Sequence, residues 1–271
     1  SGHLADRLWA LSLAVHNRWS NHQLLSHTGN AILIAIIATW TCLMWVGWTL
    51  FYLIDTNSVV LASDGRPATA LETFYFVGYT LITLGNGEYR PEGVFWQFVT
   101  LLTATTGFFV VTLAITYLLS VLPAVVEKRQ LSATIASLGF PPEEILDNHW
   151  NGQDCQSLTR HLSNLTASLN KVSQQHLALP VLHYFHSTDT RTALPLRVAA
   201  LDESLSYLLY GLESCRDTAT DIRPVHNAVG NLLDTLQEGF IDASNATPAP
   251  SPLSRLEGLK FKLEPEKTYH E

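Results

Sequence analysis

The chain has 271 residues, of which 47% are apolar and only 15% charged, and its formal net charge at pH 7 is −8. A net-negative chain with so few cations carries no basic footprint for nucleic acid, which excludes that class of partner. Its three cysteines, Cys42, Cys155 and Cys215, are far apart and match no zinc or redox spacing, as expected of reduced thiols.

In residues 1–30, Leu4, Leu8, Leu11, Val15 and Trp19 recur at helical spacing, while Arg7, Asn17 and Arg18 fall elsewhere on the wheel. This pattern predicts a cytoplasmic or interfacial helix on the inner membrane surface, although an amphipathic helix packed on a soluble domain has the same spacing. Ala31 to Ile54 then contains no Asp, Glu, Lys or Arg. Crossing a bilayer takes roughly 20 apolar residues at about 1.5 Å each, so residues 31–54 are predicted to be a first span. Its Tyr52 and Trp48 suit the headgroup level, whereas Trp40 is expected to be a packing residue. The span is too long and too far from the N-terminus for a cleaved signal peptide.

Residues 55–69 read as a polar outer loop, and residues 70–82 as a helix too short to span. That short helix runs into Gly85-Asn86-Gly87. Non-helical backbone at membrane depth survives only where protein buries it or water lines it, so the segment predicts a re-entrant loop lining a cavity. A loop lying on the membrane surface is the other reading. A second charge-free run, Gly93 to Val126, predicts a span over residues 94–126, with Pro123 expected to kink or terminate it. One charge at a bilayer centre costs about 2.5–3.5 kcal/mol, so two long runs without any are not expected of a soluble chain. Arg7, Arg18, Lys128 and Arg129 flank the spans, and the intervening loop carries Asp55, Asp64, Glu72, Glu88 and Glu92 against Arg66 and Arg90. By the positive-inside rule the protein is multi-pass with both termini cytoplasmic.

Residues 127–246 read as a cytoplasmic helical domain. Gly139 to Glu144 marks a turn and a helix start, with prolines and acids where a helix N-terminus accepts them. Leu158, Leu162, Leu165, Leu169 and Val172 form one apolar stripe; Leu201, Leu205, Leu208 and Leu212 form a second; Val225, Val229, Leu232, Leu236 and Phe240 form a third. None sustains enough heptads for a coiled coil, so a helical bundle is expected. Residues 247–271 form a Pro-rich linker and charged tail. No nucleotide-binding glycine motif, catalytic constellation or cofactor signature is readable, so no enzyme activity and no cofactor are expected. His183 and His186 are two imidazoles without a third ligand, a weak metal motif, and His16, His22 and His27 are candidate pH-sensitive side chains.

The stretch Thr83-Leu84-Gly85-Asn86-Gly87-Glu88, followed by Tyr89-Arg90-Pro91 and flanked by the two spans, resembles the pore segment of the potassium-channel pore-domain superfamily, in particular its bacterial members with two spans per subunit. The resemblance covers about residues 31 to 126. It implies a homotetramer in a bacterial inner or plasma membrane, with lipid bilayer and permeant monovalent cations as partners and no metal beyond those cations. It also implies a filter at residues 83–88 that holds K+, with Thr83, Leu84, Gly85, Asn86 and Gly87 as ion-binding residues and Glu88 at the outer mouth. Tyr89 to Pro91 would be the turn after the filter. Gly107, nineteen residues after Glu88, falls where the family has a hinge glycine. Phe108, Val111, Ile115 and Leu119 follow on one helical face as a candidate gate, a spacing that ordinary bundle packing also produces.

The residue types suit that chemistry. Gly85 and Gly87 allow backbone angles that point successive carbonyls at one axis, and a short helix aimed at a cavity adds the negative end of its dipole. Two departures are visible: Asn86 stands where the family has a filter tyrosine, and Tyr79 stands where some members have a glutamate. The upper filter is therefore expected to be wider or rearranged, so that Na+ passes along with K+. No span carries the repeated arginines of a voltage sensor, which leaves gating to the inner helix and to a ligand or protein acting on the cytoplasmic domain. The alternative is a non-conducting receptor or scaffold with a degenerate pore loop.

Overall fold

The computed structural model describes residues 5, 7–10, 12–14, 22–151, 156–212 and 219–239. They fall into two compact units, one comprising Asn30–Ser120 and the described residues up to Leu8, the other Trp9–Gly29 and the described residues from Val121 onward.

In the first unit, α1 (His22–Tyr52) supplies the first apolar run, and its upper end is tied down by one aromatic residue. Tyr52 is fully buried, with its ring 5.2 Å from that of Trp96 and 5.5 Å from that of Phe76. Its hydroxyl lies 2.9 Å from Thr100 Oγ1, and its carbonyl accepts a 2.8 Å bond from Ser58 Oγ. The expected polar loop contains a strand, β1 (Val59–Leu61), that pairs antiparallel with β2 (Tyr89–Pro91), Val60 opposite Arg90. Tyr89-Arg90-Pro91 is thus a strand rather than a turn, because its backbone finds partners across the loop. Between the strands lies α2 (Ala70–Leu81). A capping box starts it: Thr69 Oγ1 accepts from the Glu72 N–H, and Glu72 accepts from the Thr69 N–H. Arg66 grips the same carboxylate through two nitrogens, at 2.9 and 2.6 Å, and with Thr69 holds the Glu72 carboxyl well below the usual range.

The second long helix, α3 (Gly93–Ala136), continues through Pro123. The expectation that the proline ends the helix fails, since a proline removes one backbone donor and the turns on either side keep their own bonds. Within the chain only 11% and 17% of the most apolar windows of α1 and α3 are buried, as befits helices whose outer faces meet lipid. Trp40, expected to be a packing residue, is instead 58% exposed on the chain surface.

In the second unit α3 continues into a bundle with α4 (Pro142–His149), α5 (Gln156–Ala178), α6 (Leu194–Ser206) and α7 (Ala219–Gly239). A 3-10 turn, Pro180–Tyr184, follows α5, and a π-helical turn, Tyr207–Gly211, follows α6. The leucine stripes form the core: Leu158, Leu162, Leu165, Leu169 and Val172 are buried with Leu201, Leu205, Leu208, Leu212, Val225, Val229 and Leu232. Leu236 packs against them partly buried, and Phe240 lies outside the described residues, as do Cys155, Cys215, His16 and the 247–271 tail. One buried polar link, Ser173 Oγ to Thr235 Oγ1 at 2.8 Å, crosses from α5 to α7. The expected N-terminal helix is seen at Ala5, Arg7–Ala10 and Ser12–Ala14, and Trp9 sets its ring 5.8 Å from that of Tyr184.

Two packing details lead to predictions. The backbone of α3 at Gly107 is pressed against the Leu81 carbonyl at the end of α2, so that a Cβ there would overlap the oxygen, whereas a Cβ on Gly47 would meet nothing. Gly107→Ala should destabilise the detergent-solubilised protein by about 1–3 kcal/mol, seen as a lower unfolding midpoint, while Gly47→Ala leaves the midpoint in place. His176 is buried in the second unit, its Nδ1 2.9 Å from the Val172 carbonyl, and desolvation lowers its pKa to about 4. The unfolded imidazole takes up a proton near pH 6.5 but the folded one does not until about pH 4. Stability should therefore fall as the pH is lowered through that window, and His176→Gln should flatten the dependence of the melting midpoint on pH.

Candidate pore segment

Residues 82–88 connect α2 to β2, and every one of them is exposed on the chain. The end of α2 is wound tight by the residues that follow it. Thr83 N–H donates to the Thr80 carbonyl at 3.0 Å and Leu84 N–H to the Tyr79 carbonyl at 2.8 Å. Beyond that point the backbone alternates. Thr83, Gly85 and Gly87 have φ of +57°, +58° and +76°, whereas Leu84 and Asn86 between them do not enter the positive region. In a strand, successive peptide groups face opposite ways. A regular switch of handedness from residue to residue is the geometry that can turn successive carbonyls to one side. Glycine takes positive φ at no steric cost. Thr83 does not: it is the one non-glycine residue with positive φ among the described residues, and a β-branched side chain there costs on the order of 1–3 kcal/mol. Strain of that kind persists where the surroundings over-determine the backbone.

The surroundings are a tyrosine cluster. Tyr79, the residue at the possible glutamate position, is buried and donates its hydroxyl to the Tyr89 carbonyl at 3.0 Å. The Tyr75 ring lies 5.3 Å from that of Tyr79 and 6.3 Å from that of Tyr89. Asn86 Nδ2 donates to the Tyr75 hydroxyl at 2.9 Å, while its Oδ1 accepts the Glu88 N–H at 3.2 Å. The Asn86 amide is therefore anchored on α2, one turn before Tyr79. The far end of the segment is tied to the loop before it, where the Ala62 N–H donates to the Glu88 carbonyl at 2.9 Å. On the other flank, Trp45 of α1 stacks on Phe74 at 4.4 Å and donates Nε1 to the Phe74 carbonyl at 2.8 Å. Gly78 lets that indole approach, since a Cβ on it would run into the ring. Trp48 Nε1 reaches Thr106 Oγ1 on α3 at 3.0 Å.

The structure thus brings Thr83, Leu84, Gly85, Asn86, Gly87 and Glu88 into one exposed ribbon at the C-terminal end of α2, where the helix dipole concentrates about half a negative charge. Gly107 sits against the root of that ribbon, at Leu81. Phe108, Val111, Ile115 and Leu119 follow on α3, and all four are exposed on the single chain, from 46% for Val111 to 67% for Leu119. Sequence reasoning missed the positive φ of Thr83, the Tyr75 anchor and the capping box. Only the last had a readable signal, Thr69-x-x-Glu72. His183 lies in the 3-10 turn and His186 beyond it, so they do not share a helix, and among the described residues no group of three or more His, Cys, Asp or Glu is placed to hold a metal.

Comparison with known proteins agrees with this architecture. A family model described as "Ion channel" matches residues 33–123, from the lower part of α1 through the candidate pore segment to Pro123 of α3. The "Uncharacterized membrane protein YdjJ" of Bacillus subtilis (strain 168) is 34% identical over 236 residues, 87% of this chain and 69% of that protein. No solved structure matches. The chain belongs to the same family of membrane proteins as YdjJ, and residues 33–123 are its ion-channel domain.

Proposed function

We propose that the channel is a homotetramer that conducts K+, with Na+ also passing, through a filter formed by Thr83, Leu84, Gly85, Asn86 and Gly87. The observation that carries this reading is the alternation of positive φ at Thr83, Gly85 and Gly87 in an exposed ribbon at the C-terminal end of α2. One chain supplies one set of carbonyls, and four sets around an axis replace the hydration shell of a monovalent cation. The exposure of the same ribbon supports a role for further copies, because Leu84 leaves 63% of its surface uncovered among the described residues. Glu88 from each subunit would draw cations to the outer mouth. Gly107 is the proposed hinge, and Phe108, Val111, Ile115 and Leu119 the proposed gate. Four convergent rings of such side chains close a pore by dewetting. The helical domain is the proposed regulator, acting through a ligand or protein partner. The relaxed selectivity rests on Asn86: a short amide held by Tyr75 reaches less far than a tyrosine ring and leaves the upper filter wider.

Purified protein in liposomes should carry K+ and Na+ but exclude a large organic cation, and Gly85→Asp should abolish both fluxes, because it sets a side chain on a backbone at positive φ in the narrowest part of the path. Flux that survives Gly85→Asp would contradict the assignment of the filter. In the same assay, Asn86→Tyr should raise the preference for K+ over Na+, and an unchanged ratio would refute the account of filter width.

A further inference from the structure

Both long helices continue unbroken into the second unit, and there a single short turn holds each of them. Past Pro123, α3 carries three successive charged residues, Glu127, Lys128 and Arg129, and the first two find partners on the elements that follow. Glu127 pairs with Lys171 of α5 at 2.7 Å and also accepts a bond from Gln175. Lys128 points to the turn after α5: its Nζ donates to the carbonyls of Leu182, at 2.9 Å, and Phe185, at 3.2 Å. That turn is firmly seated, since Val181, Leu182, Tyr184 and Phe185 are all buried. The Leu182 carbonyl also accepts the Phe185 N–H, so Lys128 binds at the point where the turn closes. On its other side the turn meets the foot of α1. The Phe185 ring lies so close to Gly29 that a Cβ there would be 2.8 Å from it.

A lysine suits this position. An ammonium offers three donors to carbonyls at the end of a helical turn, where partial negative charge collects and each oxygen has two lone pairs to share. Lys128 lies beyond the predicted span, and although burial, with Arg129 beside it, lowers its pKa to about 8, it remains charged at neutral pH. The neighbouring His176, lowered to about 4, is uncharged there.

We propose that Lys128 is a positioning residue for the gate: its two bonds to the Pro180–Phe185 turn, reinforced by Glu127 on Lys171, tether the end of the inner helix, and the contact of Phe185 with Gly29 ties the same turn to the foot of the outer helix. The proposal rests on the channel reading above. The segment between Leu119 and Lys128 contains Pro123, which lacks the N–H for one bond of the helical ladder and leaves the helix locally easier to bend. Movement of the gate away from the pore axis therefore bends the helix at Pro123 against the end held by Lys128, breaks the Lys128 bonds, or carries the turn with it. Whatever displaces α5 or the turn pulls on the gate.

The test uses the full chain at pH 7 with two readouts, K+ flux in liposomes and backbone hydrogen exchange. Lys128→Met keeps the apolar stem and removes the donors, whereas Lys128→Arg keeps charge and donors. The Met variant should raise flux about fivefold or more, the lower edge of the usual range of coupling between sites, and should quicken exchange in peptides covering residues 180–186. The Arg variant should stay within about twofold of the parent in flux. Lys171→Met, on an exposed side chain, should raise flux about twofold and keeps the proposal open to refutation if Lys128→Met does not fold. A silent parent with a conducting Lys128→Met variant supports the tether. Faster exchange with unchanged or reduced flux overturns it, as does flux and exchange both matching the parent. If parent and variants are all silent, the channel reading fails, and the gating role of Lys128 fails with it, while exchange still reports whether the contact exists.

Discussion

The inner helix passes the end of the short helix with no room for a methyl group between them. Gly107 lies against the Leu81 carbonyl, and on the opposite flank Gly78 takes the Trp45 indole in the same way. These two contacts seat α2 between the spans and fix where its C-terminal end points. The candidate pore segment depends on that seat, because residues 82–88 have little cover of their own and start from the last turn of α2. Thr83 is held at positive φ only because the turn before it is fixed, and Asn86 finds Tyr75 only because α2 presents it on the side facing the ribbon. Loosening the seat would release the strain at Thr83 and the alternation of the backbone together.

Two kinds of burial divide the molecule. The helical unit closes on a continuous apolar core in which the apolar stripes of α5, α6 and α7 meet, with fewer large apolar side chains left exposed among its described residues than in the first unit. The ion-channel domain does the opposite. Its buried cluster is aromatic and sits toward the loop end, around Tyr52, Phe76, Tyr79, Tyr89 and Trp96, while the faces of α1 and α3 leave leucine, valine and phenylalanine exposed along their length. A groove of about 620 Å³ lined by Met44, Gly47, Trp48, Phe51, Phe95, Val99 and Leu102 is apolar throughout. Surfaces of that extent are stable only against hydrocarbon or other subunits. The polar groups in the aromatic cluster are satisfied internally, with Tyr52, Thr100 and Thr103 near one another and Trp96 Nε1 donating to Asp55 at 2.9 Å.

The spans were legible because a bilayer imposes a requirement that few other environments do, a long run without charge, and Ala31–Ile54 and Gly93–Val126 meet it. The bundle was legible from its leucine spacing, residue by residue. The ends of elements were less so. The first helix starts at His22, because helix continues through polar residues that hydropathy discounts, and α3 continues to Ala136 despite Pro123. The pairing of Val59–Leu61 with Tyr89–Pro91 was invisible, since three-residue strands are too short for a periodic signal. In the candidate pore segment the residue types singled out the ribbon proposed as the filter, but its supports did not show. Nothing in sequence links Asn86 to Tyr75, and Lys128 read only as a marker of membrane orientation before the structure placed it on two carbonyls.

The central claim is that four copies of residues 83–87 surround one axis and coordinate cations there. The most direct measurement is a structure of the purified, membrane-extracted protein with Rb+ or Tl+ as a heavy substitute for K+. The account predicts a four-fold assembly with anomalous density on its axis, level with the carbonyls of Thr83 to Gly87. A monomer or dimer, or a tetramer whose axis is empty beside that ribbon, would contradict it.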